Sequence, residues 1–142
     1  MKTLTAILLS LFLFAPLMAA AEVAPEDSKQ IDQVAGTFFD ALNAHKTEEA
    51  YAGLMLPLIS EQQAAMRNLY GITDQVVAYF DKPFKYEKVE ERTLGSRLVY
   101  RKYVLYNDKL PYVVTTVFFK TTLGWKCQRI YLADLTDQDV SN

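Results

Sequence analysis

Apolar positions change their period once along this chain. From about residue 28 to residue 80 they recur every three or four residues, and from 84 to 132 they come in short β-branched and aromatic runs broken by turn residues. The first pattern predicts helices. Ile31, Val34, Ala35, Phe38, Phe39 and Leu42 form one stripe, with Asp27 or Ser28 as the expected cap and Asn43-Ala44-His45-Lys46 as the end. Thr47, followed by Glu48 and Glu49, opens a short helix carrying Ala50, Tyr51, Leu54 and Met55, which Pro57 is expected to close. Ser60-Glu61-Gln62-Gln63 has the spacing of a capping box and predicts a third helix to about Tyr70. Gly71 is its expected stop, and Thr73 or Asp74 caps one more turn through Val76, Val77, Tyr79 and Phe80.

The second pattern predicts three or four antiparallel strands in Pro83–Tyr86, Leu98–Tyr100, Tyr112–Phe119 and Trp125–Leu132. The intervening turns are Leu94-Gly95-Ser96, Tyr106–Lys109 and Thr122-Leu123-Gly124. Tyr112–Phe119 has no charge and no alternation, so it is expected in mid-sheet with both faces buried, guarded by Lys109, Pro111 and Lys120. In the last strand, alternation puts Trp125, Cys127, Arg129 and Tyr131 on one face and Lys126, Gln128, Ile130 and Leu132 on the other. Helices first and an antiparallel meander afterwards is an α+β arrangement, because each helix stripe can be buried only against a face of the sheet.

At 142 residues and 51% hydrophobic content the chain has material for one core. Met1–Ala21 combines Lys2, an apolar run from Leu4 to Met18 and the triplet Ala19-Ala20-Ala21. That is the pattern of a secretory signal peptide cut before Glu22, leaving a single domain over residues 22–142. The alternative is an uncleaved anchor; Pro16 and the alanines favour cleavage. The expected location is periplasmic or secreted, with no membrane attachment after cleavage. Loss of Lys2 with the leader would take the net charge from −2 to −3. Arg92, Arg97, Arg101 and Lys102 cluster around one hairpin, but Glu87, Glu90 and Glu91 are interleaved with them, so a solvated mixed-charge face is expected and no nucleic-acid partner.

Candidate chemistry is sparse, and no residue set specifies a reaction. His45 is the only histidine and lies in a polar turn, which leaves no base for a nucleophilic triad. One His and one Cys cannot close a zinc site, so no metal and no cofactor are expected, and Cys127 is expected to be a buried free thiol. Glu90 and Glu91, adjacent on a strand, point to opposite faces and make no acid/base dyad.

Phe38-Phe39-Asp40-Ala41-Leu42-Asn43-Ala44, a short turn, then Glu49-Ala50-Tyr51 resembles the opening of the nuclear transport factor 2-like superfamily, which includes ketosteroid isomerase and the SnoaL-like cyclases. Phe118-Phe119-Lys120 with Gly124-Trp125-Lys126 is similar to the last hairpin of its secreted members. The resemblance implies helices packed on a curved sheet in a cone, and a homodimer through the sheet. Its isomerase-like branch uses a first-helix tyrosine as an oxyanion donor, with an aspartate base and a protonated acid. Here Phe38 stands at the tyrosine's place and Leu54–Ser60 holds no acid, so that mechanism is not inherited.

The expectation is therefore a non-catalytic domain that binds a small apolar or amphipathic ligand, or a protein partner. The alternative is a small acid/base enzyme, an isomerase, dehydratase or cyclase, using the same cavity. Helical stripe, strand parity and aromatic type select Phe38, Leu42, Tyr51, Tyr70, Tyr100, Trp125, Arg129 and Tyr131 as the cavity's walls. Val99, Tyr103, Val113 and Val117 are candidates for the dimer face.

Overall fold

A computed structural model describes residues 22–140. The signal peptide expected over 1–21 lies outside the described residues, and among those described no helix is long and apolar enough to cross a membrane. Helices α1 (Pro25–Asn43), α2 (Thr47–Leu54), α3 (Pro57–Ser60) and α4 (Gln63–Phe80) precede strands β1 (Lys85–Thr93), β2 (Leu98–Tyr106), β3 (Tyr112–Thr121) and β4 (Gly124–Asp134). A single turn, α5 (Asp137–Val140), follows. The strands form one antiparallel sheet in the order β1-β2-β3-β4, so the arrangement is α+β, as the periodicity predicts.

Helix α1 buries Ile31, Ala35, Phe38, Phe39 and Leu42, the stripe read from the sequence. Pro25 occupies its first turn, where a missing N–H costs nothing, and neither Asp27 nor Ser28 caps it. Both instead reach the sheet. The helix ends in a Schellman motif: Lys46 N–H donates to Ala41 C=O and His45 N–H to Leu42 C=O, with His45 in the left-handed region at φ 58°. His45 is thus an exposed turn residue.

Two helix boundaries differ from expectation. Pro57 does not close α2; Met55 leaves that helix in extended form and bridges Cys127 in parallel, and Pro57 then opens α3. The fourth helix runs unbroken through Gly71, because the Thr73 hydroxyl bonds back to Leu69 C=O inside the helix instead of capping a new one. Ser60 makes no capping box, and its hydroxyl donates to Pro57 C=O. Asp81, at φ 46°, supplies the left-handed stop expected of Gly71.

Strand β2 alternates strictly, with Val99, Arg101, Tyr103 and Leu105 buried toward the helices and its even-numbered residues facing outward. β3 lies inside the sheet as predicted, yet only one of its faces is fully buried; Thr115, Val117 and Phe119 are half-exposed on the other. In β4 the parity breaks. Val117 pairs with Arg129 and Phe118 with Cys127, so Gln128 is an inserted residue, a β-bulge, and every side chain after it changes face. Ile130 and Leu132 consequently join the core beside Trp125 and Cys127, and Arg129 and Tyr131 turn outward. A second register shift lies between Lys88 and Glu90 in β1.

Candidate functional site

The space expected between helix layer and sheet is occupied by side chains. Phe38, Phe39, Tyr51, Phe80, Tyr103 and Phe118 are each 2% exposed or less, and they meet edge to face: Phe38 and Tyr51 centroids lie 5.1 Å apart, Phe39 and Tyr103 5.2 Å. Tyr86 stacks on Phe39 at 4.3 Å with its hydroxyl beside Gly36, where a Cβ would stand 3.3 Å away, closer than an ordinary contact. The Tyr51 hydroxyl donates to Thr73 Oγ1 at 2.7 Å, whose own proton goes to Leu69 C=O. Burial holds the Tyr51 phenol well above its ordinary pKa, so it is a satisfied core tyrosine.

Of the residues selected from sequence, Phe38, Leu42, Tyr51 and Trp125 are buried on the helix side, and the half-buried Tyr70 touches Tyr51 at 5.5 Å. They wall no common space. Leu42 sits in the core, and Trp125 is at the opposite end of α1, where its Nε1–H donates to Asp27 at 3.0 Å. Tyr100, Arg129 and Tyr131 lie on the outward face of the sheet, the last two because of the bulge at Gln128. Among the dimer-face candidates, Val99 and Tyr103 face the helices, whereas Val113 and Val117 face outward. Cys127 is fully buried; its thiol donates to Arg129 C=O at 3.0 Å, and burial pushes its pKa up to about 12, so it is chemically quiet.

Three other features are candidates for chemistry. The first is a groove of about 260 Å³ between α1 and α2, floored by Val34, Phe38, Ala50 and Leu54 with Gln33 and Glu49 at its rim. Phe38 is its one residue selected from sequence. The second is a polar cluster where α1 meets β1 and β2. Arg101 is fully buried, contrary to the expected solvated face, and its guanidinium contacts Asp32 at 2.6 Å, Glu91 at 2.5 Å, the Ser28 hydroxyl at 2.9 Å and the Tyr103 hydroxyl at 3.2 Å. Lys88 adds a contact to Glu91 at 3.1 Å. Burial alone would lower the Arg101 pKa, but Tyr103, Glu91 and Asp32 together raise it, so the cation is permanent. The Tyr103 phenol is pushed up to about 12 by burial. Strand parity carried a usable signal for this cluster: Arg101 alternates with Val99 and Tyr103, so once those face inward the arginine must too and needs acids beside it.

The third feature is the outward sheet face. Leu98, Tyr100, Val104, Val117 and Phe119 are half-exposed there, Tyr131 is 65% exposed, and two rings are covered by guanidinium groups, Arg92 over Tyr100 at 4.3 Å and Arg97 over Phe119 at 4.7 Å. Among the described residues, no group of three or more His, Cys, Asp or Glu is placed to hold a metal ion.

No protein-family model matches the chain, and no curated protein matches it either. Its fold is similar to that of a protein of the NTF2-like family from Streptomyces avermitilis, provisionally named a dehydratase. The two share 12% identity at a TM-score of 0.52, over 78% of this chain and 97% of that one. With its helices followed by a curved four-stranded antiparallel sheet, the chain has the nuclear transport factor 2-like fold.

Proposed function

We propose that this domain is a non-catalytic binding module that works through the outward face of its sheet, where it joins a second copy of itself. The observation that carries the reading is the contrast between an interior filled by rings and an outward face left with half-exposed Leu98, Tyr100, Val104, Val117 and Phe119. The apolar groups flank a polar middle strip of Glu90, Lys102 and Thr115, and a homodimer interface combines apolar area with paired polar groups in this way. Charges on this face alternate in sign: Lys85, Arg92, Lys102 and Arg129 lie among Glu87, Glu90 and Asp139, so a like copy does not meet a field of one sign. The groove between α1 and α2, at about 260 Å³, is smaller than the roughly 300–1,000 Å³ usual for drug-sized ligands, which makes it the weaker of the two surfaces. An address outside the cytoplasm agrees with the leader pattern of residues 1–21.

Native mass spectrometry of protein purified from its own source tests this directly. A dimer without adduct is the expected result, and Val117→Glu should return it to monomer. A monomer at tens of micromolar by sedimentation would overturn the reading. A second reading, a small acid/base enzyme of the isomerase, dehydratase or cyclase type, is favoured by the cluster of Asp32, Lys88, Glu91, Arg101 and Tyr103, and at the level of fold by the similar protein's name. A small-molecule adduct that is lost in Glu91→Gln with the dimer intact would favour it.

A further inference from the structure

The described tail does not run off the end of β4 into solvent. Asp134, its last residue, pairs with Tyr112 of β3, and Tyr112 in turn pairs with Leu105 of β2. Asp139 nevertheless contacts Lys102 Nζ at 2.9 Å, and Lys102 faces outward from the middle of β2. Strands lie about 4.8 Å apart and an extended lysine side chain spans about one such spacing, so a chain that leaves β4 and meets Lys102 must lie on the outward side of the sheet, at or over β3. The β3 position there is Val113, which pairs with Val104 on one side and Ala133 on the other. Val113 is 3% exposed although it faces away from the helices and lies outside the core cluster, whereas Val117, further along the same face, is only half-buried. The burial of Val113 on this side is what a tail lying over the end of the face where Val104, Val113 and Ala133 meet would produce.

The clasp is built around one residue. Asp139 Oδ2 accepts from the backbone N–H and the hydroxyl of Thr136, which caps the start of α5, while its Oδ1 takes Lys102. Lys102 is also 3.5 Å from Glu90, so the groups facing Asp139 from the sheet are one cation and the acid it already serves. Both clasp partners are largely out of solvent, with side-chain exposures of 15% and 18%. Folding the turn and docking it are thus the same event, because losing Asp139 removes the cap and the anchor together.

We infer that the C-terminal tail, held by the Lys102–Asp139 clasp, is an intramolecular cover over part of the outward sheet face and competes with a second copy of the chain for it. This rests on the reading of that face as the self-association surface. The tail has the smaller interface but an effective concentration set by its attachment, and a second copy must displace it or dock beside it. Releasing the clasp should therefore strengthen self-association.

Two readouts separate the clasp from the dimer. In full-length Val113→Cys protein, the buried Cys127 is a silent background, and maleimide labelling at position 113 reports the cover. Adding Asp139→Ala should speed that labelling at least tenfold, and Lys102→Gln, which leaves the cap intact, should speed it by less. In the otherwise unaltered chain, Asp139→Ala should lower the dimerisation Kd measured by sedimentation by about tenfold. Unchanged labelling in both variants would overturn the clasp whatever the oligomeric state. Faster labelling with an unchanged or weaker dimer would overturn the competition and make the tail part of the interface. Faster labelling with no dimer in any variant would remove the self-association reading, and the competition with it, while the clasp stands.

Discussion

The two halves of helix α1 hold the sheet by different physics. Toward its C-terminus Phe38, Phe39 and Leu42 bury apolar surface among rings that accept several packings. Toward its N-terminus Asp27, Ser28 and Asp32 reach Lys120, Trp125 and Arg101 through directional oxygen–nitrogen contacts that accept only one. The apolar half supplies most of the free energy, since burial is proportional to area and insensitive to direction. The polar half supplies orientation at little net gain, because removing ions from water costs about what their pairing returns.

The largest expected effect tests the apolar half. Phe39→Ala empties a site bounded by Phe38, Phe84, Tyr86 and Tyr103 and should lower unfolding stability by about 3–5 kcal/mol in a denaturant titration. A loss under 1 kcal/mol would erase the difference between the halves. Next comes Glu91→Ala, which leaves the buried Arg101 with Asp32 as its one acid. A fully buried pair broken this way costs about 3–5 kcal/mol, and the partial exposure of Glu91 and Asp32 brings the expectation down to roughly 2. The double replacement Arg101→Met with Glu91→Leu should recover most of that loss, and a double variant no better than the single one would mean the polar half stabilises as well as orients.

Asn43→Ala sharpens the boundary at the helix end. The Asn43 amide both donates to Phe84 C=O and accepts from Phe84 N–H, each at 3.0 Å, tying the end of α1 to the start of β1. Loss of both should cost about 1–2 kcal/mol by the same titration. The smallest effect is a pH dependence. Lys120, and then Trp125, hold the Asp27 carboxyl below the usual carboxylate range. Its stabilisation is therefore present above the unfolded value near ~3.9 and lost as pH falls through the lower folded value. Urea midpoints between pH 5 and pH 2 should drop more steeply for the natural chain than for Asp27→Asn, and parallel profiles would detach that carboxylate from the hold on the sheet.

Periodicity was enough to read the apolar half from the sequence, because a helical stripe and a strand run are local and repeat. The stripe of α1, three or four antiparallel strands and the inner place of β3 follow from it, whereas β1 and β2 run on to Thr93 and Tyr106, beyond the Tyr86 and Tyr100 where the apolar runs stop. What escaped it depends on a single residue with a non-local consequence. Gln128 has nothing in its side chain that announces a bulge, yet its insertion sends Arg129 and Tyr131 to the opposite face from the one alternation assigns. Arg101 looks like its charged neighbours until the acids on another strand and on α1 are placed around it. Gly71 carries the weakest kind of stop signal, and Thr73, two residues on, outweighs it by bonding within the helix.

The sheet ends in two unlike edges, and they set how the protein should behave in crowded solution. β1 is charged at six of its nine positions and broken by a register shift, a border that repels strand-to-strand docking. β4 is bridged at Cys127, where Met55 pairs with it and Leu56 N–H donates to its carbonyl at 3.0 Å before Pro57 turns the chain away. From Arg129 to Ala133 no described strand covers the outer side, and that stretch carries one charge. Under stress, colloidal growth should begin there, and one lysine in place of Tyr131 should delay the onset of turbidity while leaving the fold as it is.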